Sequence, residues 1–160
     1  MKFKERIIKG AIAGAVGTIA LDAATAFDML LRGRAPSSLP EKTVRAVLQR
    51  VPQTPASLTG QTETSTHRRN GLGTLAGYSI GISLGAAYGM LPLSSRAPSI
   101  IAGIVLGAAA LAASDIPSVR LGVTDPSDWS PSEWLSDVIP HLGYGLFTAM
   151  AFETLASNTE

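Results

Sequence analysis

The chain of 160 residues contains no cysteine. That excludes disulfides, thiolate metal sites and a cysteine nucleophile, and cysteine usage says nothing about the redox compartment. Charge is also scarce, at 16% of residues, against roughly 25% in an ordinary soluble domain. The formal net charge is only +1. Phosphate binding needs a concentrated basic face, so no nucleic-acid partner is expected. Catalytic signatures are missing too. The sequence has no GxSxG elbow, no phosphate-binding glycine loop and no HExxH pair, and its glycines follow no strand, as a dinucleotide fingerprint would require. No cofactor and no catalytic residue is expected.

What the chain does have is apolar length. Apolar residues make up 46% of it and collect in four runs, about Ile7 to Leu31, Leu72 to Leu91, Ser99 to Ile116, and Trp134 to Leu155. Each is close to the ~20 residues that a helix needs to cross ~30 Å of hydrocarbon. The expectation is an all-α integral membrane protein, one domain over residues 1–160. Four transmembrane helices would lie at about 7–31, 72–91, 99–116 and 131–155. The start, with Lys2, Lys4, Arg6 and Lys9 before an apolar stretch and then Ala23-Ala24-Thr25-Ala26, resembles a signal peptide. Asp22 interrupts that stretch, which is also longer than the usual 7–15-residue apolar region, so a retained span is expected.

The sixteen glycines sit inside the apolar runs. Gly73, Gly77, Gly81, Gly85 and Gly89 recur every fourth residue and form one stripe along the second helix. Gly10, Gly14 and Gly17 stand in the first helix, Gly103 and Gly107 in the third, and Gly145 in the fourth. Small residues let helix backbones approach closely in lipid, so helix packing is the reading of this glycine zipper, with a pore or lipid groove as the minority alternative.

Two loops carry local signals. Ser38-Leu39-Pro40-Glu41 reads as a capping box opening a helix over about 39–51. Val44, Val47, Leu48 and Val51 share one face of it and Lys42, Arg45 and Arg50 lie off that face, which suits a helix lying on a bilayer surface. The chain from Pro52 to Asn70 reads as irregular, with His67, beside Arg68 and Arg69, solvated. Before the fourth helix, Ser130 and Glu133 form a capping box around Pro131, with Trp129 and Trp134 at the staple positions. Both tryptophans also suit the headgroup level as interface anchors. Orientation signals oppose each other. Five Lys/Arg flank one membrane side (Lys2, Lys4, Arg6, Lys9, Arg96) in a cluster that favours a cytoplasmic N-terminus, and eight flank the other, mostly in the long loop.

Ionisable groups inside a span call for partners. Antiparallel crossing brings Asp28, Asp115 and Asp137 to one end. Asp22 lies about 9 Å deeper than Asp28, and His141 about 6 Å deeper than Asp137, so Asp22 and His141 are expected at similar depth. Thr18, Asp22 and Thr25 share a face of the first helix, and Asp137, His141, Tyr144 and Thr148 form a stripe on the fourth. If the stripes face each other, Asp22 pairs with His141. The cluster reads first as structural polar glue, second as a proton or solute path, and least as a metal site, for which Asp137 and His141 at i, i+4 supply only two ligands. At the other end, Glu153 is level with Arg6 and Lys9, and an interfacial ion pair is expected.

One stretch also resembles a known family. Gly85-Ala86-Ala87-Tyr88-Gly89, then Gly103 and Gly107, then Pro117 and Leu121-Gly122-Val123-Thr124-Asp125-Pro126, and finally Ser136, His141 and Tyr144-Gly145 are similar to the YagU type of small bacterial inner-membrane proteins, over roughly residues 80–147. The resemblance implies a multi-pass protein of the bacterial inner membrane. Some members of that family are linked to acid tolerance, and none supplies a catalytic mechanism to carry over. It draws attention to His141 and leaves Asp22 outside the shared pattern. Three functions are weighed on these grounds. The first is a non-catalytic protein acting by helix association, as an accessory subunit of a membrane-protein partner or as a homo-oligomer in the lipid bilayer. The second is a proton-linked transporter or channel, and the third a lipid-directed membrane enzyme.

Overall fold

The computed structural model describes residues 2–91, 94 and 97–157. Among them the protein is all-α, with six helices and no strand: α1 (Phe3–Arg32), α2 (Leu39–Leu48), α3 (Ala56–Thr59), α4 (Glu63–Met90), α5 (Ser99–Arg120) and α6 (Pro131–Ser157), with a 3₁₀ turn at Pro126–Asp128 before the last. The four long helices stand where the four apolar runs predict them. Their ends differ. The second long helix starts nine residues early, because Thr62 caps it by accepting the Ser65 N–H on its side chain and Glu63 sits in the first turn. Residues expected to be irregular, His67 to Asn70 among them, are therefore helical. The third runs through Pro117 to Arg120 rather than stopping at Ile116. Leu121 N–H donates to the Pro117 carbonyl at 2.9 Å and closes its last turn.

The start of α6 follows the sequence closely. Ser130 N–H donates to Glu133 Oε2 at 2.8 Å, and Glu133 N–H donates to Ser130 Oγ at 3.3 Å. The Trp129 and Trp134 rings meet at 5.0 Å, which completes the staple. The expected box at Ser38 does not form: Ser38 makes no side-chain cap bond, and Glu41 turns inward instead. Glu41 is buried against Arg69, the largest fully buried side chain among the described residues. The Arg69 guanidinium also donates to the carbonyls of Leu58 (2.8 Å) and Gly60 (2.9 Å). Arg69 is thus buried, while His67, as expected, and Arg68 are exposed. The α2 helix is held against the bundle end by this pair, by Pro40 seated on Gly73, and by a Thr43–Ser118 hydroxyl bond of 2.8 Å to α5.

Packing runs in the order α4, α1, α6, α5. The α1 helix lies between α4 and α6, α5 lies on the far side of α6, and α4 and α5 touch little. Glycines make these approaches possible. A Cβ on Gly85 would fall 2.5 Å from the Gly14 Cα, and one on Gly10 or Gly14 would collide with the carbonyl of Gly85 or Gly81. Gly89 lies on the Arg6 backbone and Gly17 on Tyr144 and Thr148. Between α5 and α6, Gly103 lies on Leu146, Gly107 on the His141 carbonyl, and Gly145 on the backbone of both Gly103 and Gly107. Gly77 is the exception, with nothing within 4 Å of an added Cβ. The stripe on α4 is therefore used within the chain by α1, α2 and α6, and it leaves no continuous glycine face for a second molecule.

The core between the helices is small: Ala13, Ala102, Ala110 and Ala149 with Leu106, Tyr88, Tyr144 and Phe152. The large aliphatic and aromatic side chains point outward on all four long helices, such as Ile8, Ile19 and Phe27 on α1, Leu75 on α4, Ile100 and Ile104 on α5, and Ile139 and Met150 on α6. Two helices, Phe3–Arg32 and Ser99–Arg120, are long and apolar enough to cross a membrane. By that measure α4 and α6 fall short of the four spans expected. Glycine is frequent on the buried face of α4, and glycine, threonine and tyrosine stand on that of α6, residues that are not strongly apolar, and α6 adds Asp137, His141 and Glu153.

Candidate functional site

The polar residues predicted to gather at one end separate into three groups. Asp28 belongs to the rim. It pairs with Arg32 at 2.8 Å, one turn along α1, and with Arg34 just past the helix. The Arg32 guanidinium reaches the Ser132 carbonyl at 3.3 Å and the Ser136 hydroxyl, so this network ties the end of α1 to the start of α6.

Asp22 does not meet His141. Its Oδ2 accepts from the Tyr78 hydroxyl of α4 at 2.8 Å, on the exposed seam between α1 and α4. The reason is rotational. The face of α1 turned toward α6 is the Gly17 side, and the His141 side of α6 is turned toward α5. Equal depth therefore does not become contact.

The third group is a true convergence. His141 on α6 holds its Nδ1 2.8 Å from the Asp137 carbonyl and 3.4 Å from Asp137 Oδ1. The carbonyl can only accept, so Nδ1 carries a proton, and Nε2 faces the Ser114 hydroxyl of α5 at 3.4 Å. Ser114 lies 3.2 Å from Oδ1 of Asp115, which is buried. Ser118 continues the line by donating to the Ser114 carbonyl at 2.9 Å and meeting Thr43. Two carboxylates, an imidazole and three hydroxyls thus connect α5, α6 and α2. Asp115, Asp137 and His141 were legible in the sequence. Ser114, Ser118 and Thr43 were not singled out, although Ser114 and Ser118 stand at i, i+4 beside Asp115.

A cavity of about 240 Å³ on the α5–α6 seam has His141 in its wall, with Ile104, Gly107, Ala108, Leu111, Val138 and Leu142. Toward the opposite end the seam is shut by the Gly103–Gly107–Gly145 crossing. Tyr144 is apart from this cluster. It is buried and donates to the Gly81 carbonyl at 2.7 Å, next to Thr18.

At the other end, the expected Glu153 pairing with Arg6 and Lys9 gives way to other bonds. Glu153 accepts from the Ser99 hydroxyl of α5. The Arg6 guanidinium donates to the carbonyls of Gly89 (2.7 Å) and Leu91 (3.2 Å) and lies over the Phe152 ring. Lys9 donates to the Leu155 carbonyl at 2.7 Å and pairs with Glu5 at 3.2 Å. Helix-terminal carbonyls, left without intrahelical donors, are the better acceptors there. Compared with family models, curated proteins and solved structures, the chain matches none.

Proposed function

We propose that this is a multi-pass membrane protein whose four long helices all cross the bilayer, and that it acts without catalysis by helix association, as an accessory subunit of another membrane protein or as a homo-oligomer. The observation that carries the reading is the inverted distribution of side chains: glycine, alanine, hydrogen-bonded polar groups and a few aromatics inside, and exposed large apolar side chains, isoleucine among them, outside on every long helix. In water such an exterior is a very large unpaired apolar surface, whereas in lipid it is the ordinary one. Although α4 and α6 are less apolar than α1 and α5, each is long enough, and Tyr88 of α4 and Tyr144 and Thr148 of α6 are buried in the bundle. Association is favoured by the unclosed side of the bundle. The α4 and α5 helices leave a groove of about 460 Å³ lined by Ser79, Ile80, Ser83, Leu84, Ala87 and Ala113, whose serine and alanine positions suit a close-packed helix.

The test is the mass of the particle extracted directly into native nanodiscs. A stoichiometric membrane partner or a defined oligomer supports the reading. A lone monomer overturns it.

A second reading, proton or solute transfer, rests on the Asp115–Ser114–His141–Asp137 line. It expects pH-dependent flux in liposomes that His141→Ala abolishes. The glycine crossing beside the cluster argues against a continuous path, so the first reading is preferred.

A further inference from the structure

Asp22 is a carboxylate exposed on the outside of an apolar helix. It stands three residues, about 4.5 Å, from the midpoint of the apolar run Ile7 to Leu31. On the proposed membrane reading it therefore lies deep in hydrocarbon and turned away from the bundle interior, where ionisable groups are costly and are found paired. Among the described residues its only hydrogen-bond partner is Tyr78, which engages one oxygen. Among the described residues no lysine or arginine stands at that depth, and His141 is turned toward α5. On α1 the basic neighbours are Lys9 and Arg32, about 20 Å and 15 Å along the axis, and both are engaged elsewhere. On α4 the nearest is Arg69, nine residues from Tyr78 and buried on Glu41.

The surface around Asp22 is suited to a helix. Ala23 and Ala26 are exposed beside it and permit close approach, and Ile19 and Leu75 are exposed at its edges. We propose that this seam of α1 and α4 docks a transmembrane helix of another protein that carries a lysine or arginine at the depth of Asp22, with Tyr78 holding the carboxylate in place. The inference rests on the association reading and names its partner chemistry. A second copy of this chain does not fit, because it brings the same carboxylate and no cation.

The probe is a synthetic helix of about 20 leucines with one central lysine, compared with the same helix without lysine, each binding the full-length protein in nanodiscs and followed by fluorescence transfer. The expected result is about tenfold tighter binding of the lysine helix. That preference is lost in Asp22→Asn and kept in Asp137→Asn, and Ala23→Leu weakens it by blocking approach. Equal binding of the two helices, or a preference that survives Asp22→Asn, overturns the inference while leaving association through another face intact. Transfer between differently labelled copies of the protein that depends on Asp22 also overturns it, in favour of a homodimer. Absence of binding by either helix, with a lone monomer in native nanodiscs, overturns both this inference and the association reading.

Discussion

The Tyr144 hydroxyl of α6 donates to the Gly81 carbonyl of α4 at 2.7 Å, in a place where both residues are buried. It is a direct polar tie between two helices that otherwise touch little, since α1 lies between them. Tyr144→Phe keeps the ring and removes the donor. We expect a loss of about 0.6 kcal/mol, the average for interhelical hydrogen bonds in a membrane protein, and at most about 1.7 kcal/mol. Reversible unfolding in mixed micelles measures it, and no change would mean that the bond contributes nothing net.

The glycines divide by what surrounds them, so one substitution has two signs. Gly85→Ala places a Cβ 2.5 Å from the Gly14 Cα, backbone against backbone, and forces α1 and α4 apart. The expected cost is about 1–3 kcal/mol or more. Gly77→Ala meets nothing within 4 Å and removes helix-interior backbone freedom. It should stabilise by about 0.5–1 kcal/mol. The same unfolding experiment on both variants checks the pair; equal effects would contradict the packing described.

Arg69 is buried and answered by Glu41 and by the carbonyls of Leu58 and Gly60. Removing it by Arg69→Met leaves a buried carboxylate without its partner, which costs about 3–5 kcal/mol. The local consequence is release of the segment from α2 to α3. Limited proteolysis should cut residues 33–62 faster in the variant, and adding Glu41→Leu should recover part of the protection.

Asp125 caps the turn before α6. It accepts the Ser127 backbone N–H at 2.9 Å and then the Ser127 hydroxyl at 2.7 Å, and these bonds hold its carboxyl below the usual range. A depressed value means the turn is stabilised above the ordinary aspartate pKa and loses that support as pH falls through the folded value. The Trp129 indole donates to Thr124 Oγ1 at 2.8 Å beside this turn. Its emission should therefore shift only in the acid range, with the acid limb missing in Asp125→Asn. A shift centred near neutral pH would assign the change to another group.

How much was legible depends on whether a feature is local. The Ser130–Glu133 box and the Trp129–Trp134 staple lie within a few residues of each other, and both stand as read. The convergence of Asp115 with Asp137 and His141 was also legible, because antiparallel crossing sets which ends adjoin. The Asp22–His141 pair was not, since it needed the rotation of two helices about their axes as well as their depth. Glu41 shows the same limit in a loop: its position suggested a cap, and a cation 28 residues away in sequence drew it inward.

By itself the sequence determined an all-α chain with four long helices, their approximate places, and the use of glycine for close approach. These follow from apolar run length, helical period and the absence of side chains at regular positions, all properties of short windows. Only the tertiary structure decided the order α4, α1, α6, α5, the consumption of the α4 glycine stripe within one molecule, the burial of Arg69 and the exposure of Asp22. Each of these depends on which face of one helix meets which face of another, and that is settled by the fit of whole surfaces, where a single backbone contact such as Gly85 on Gly14 outweighs any local preference.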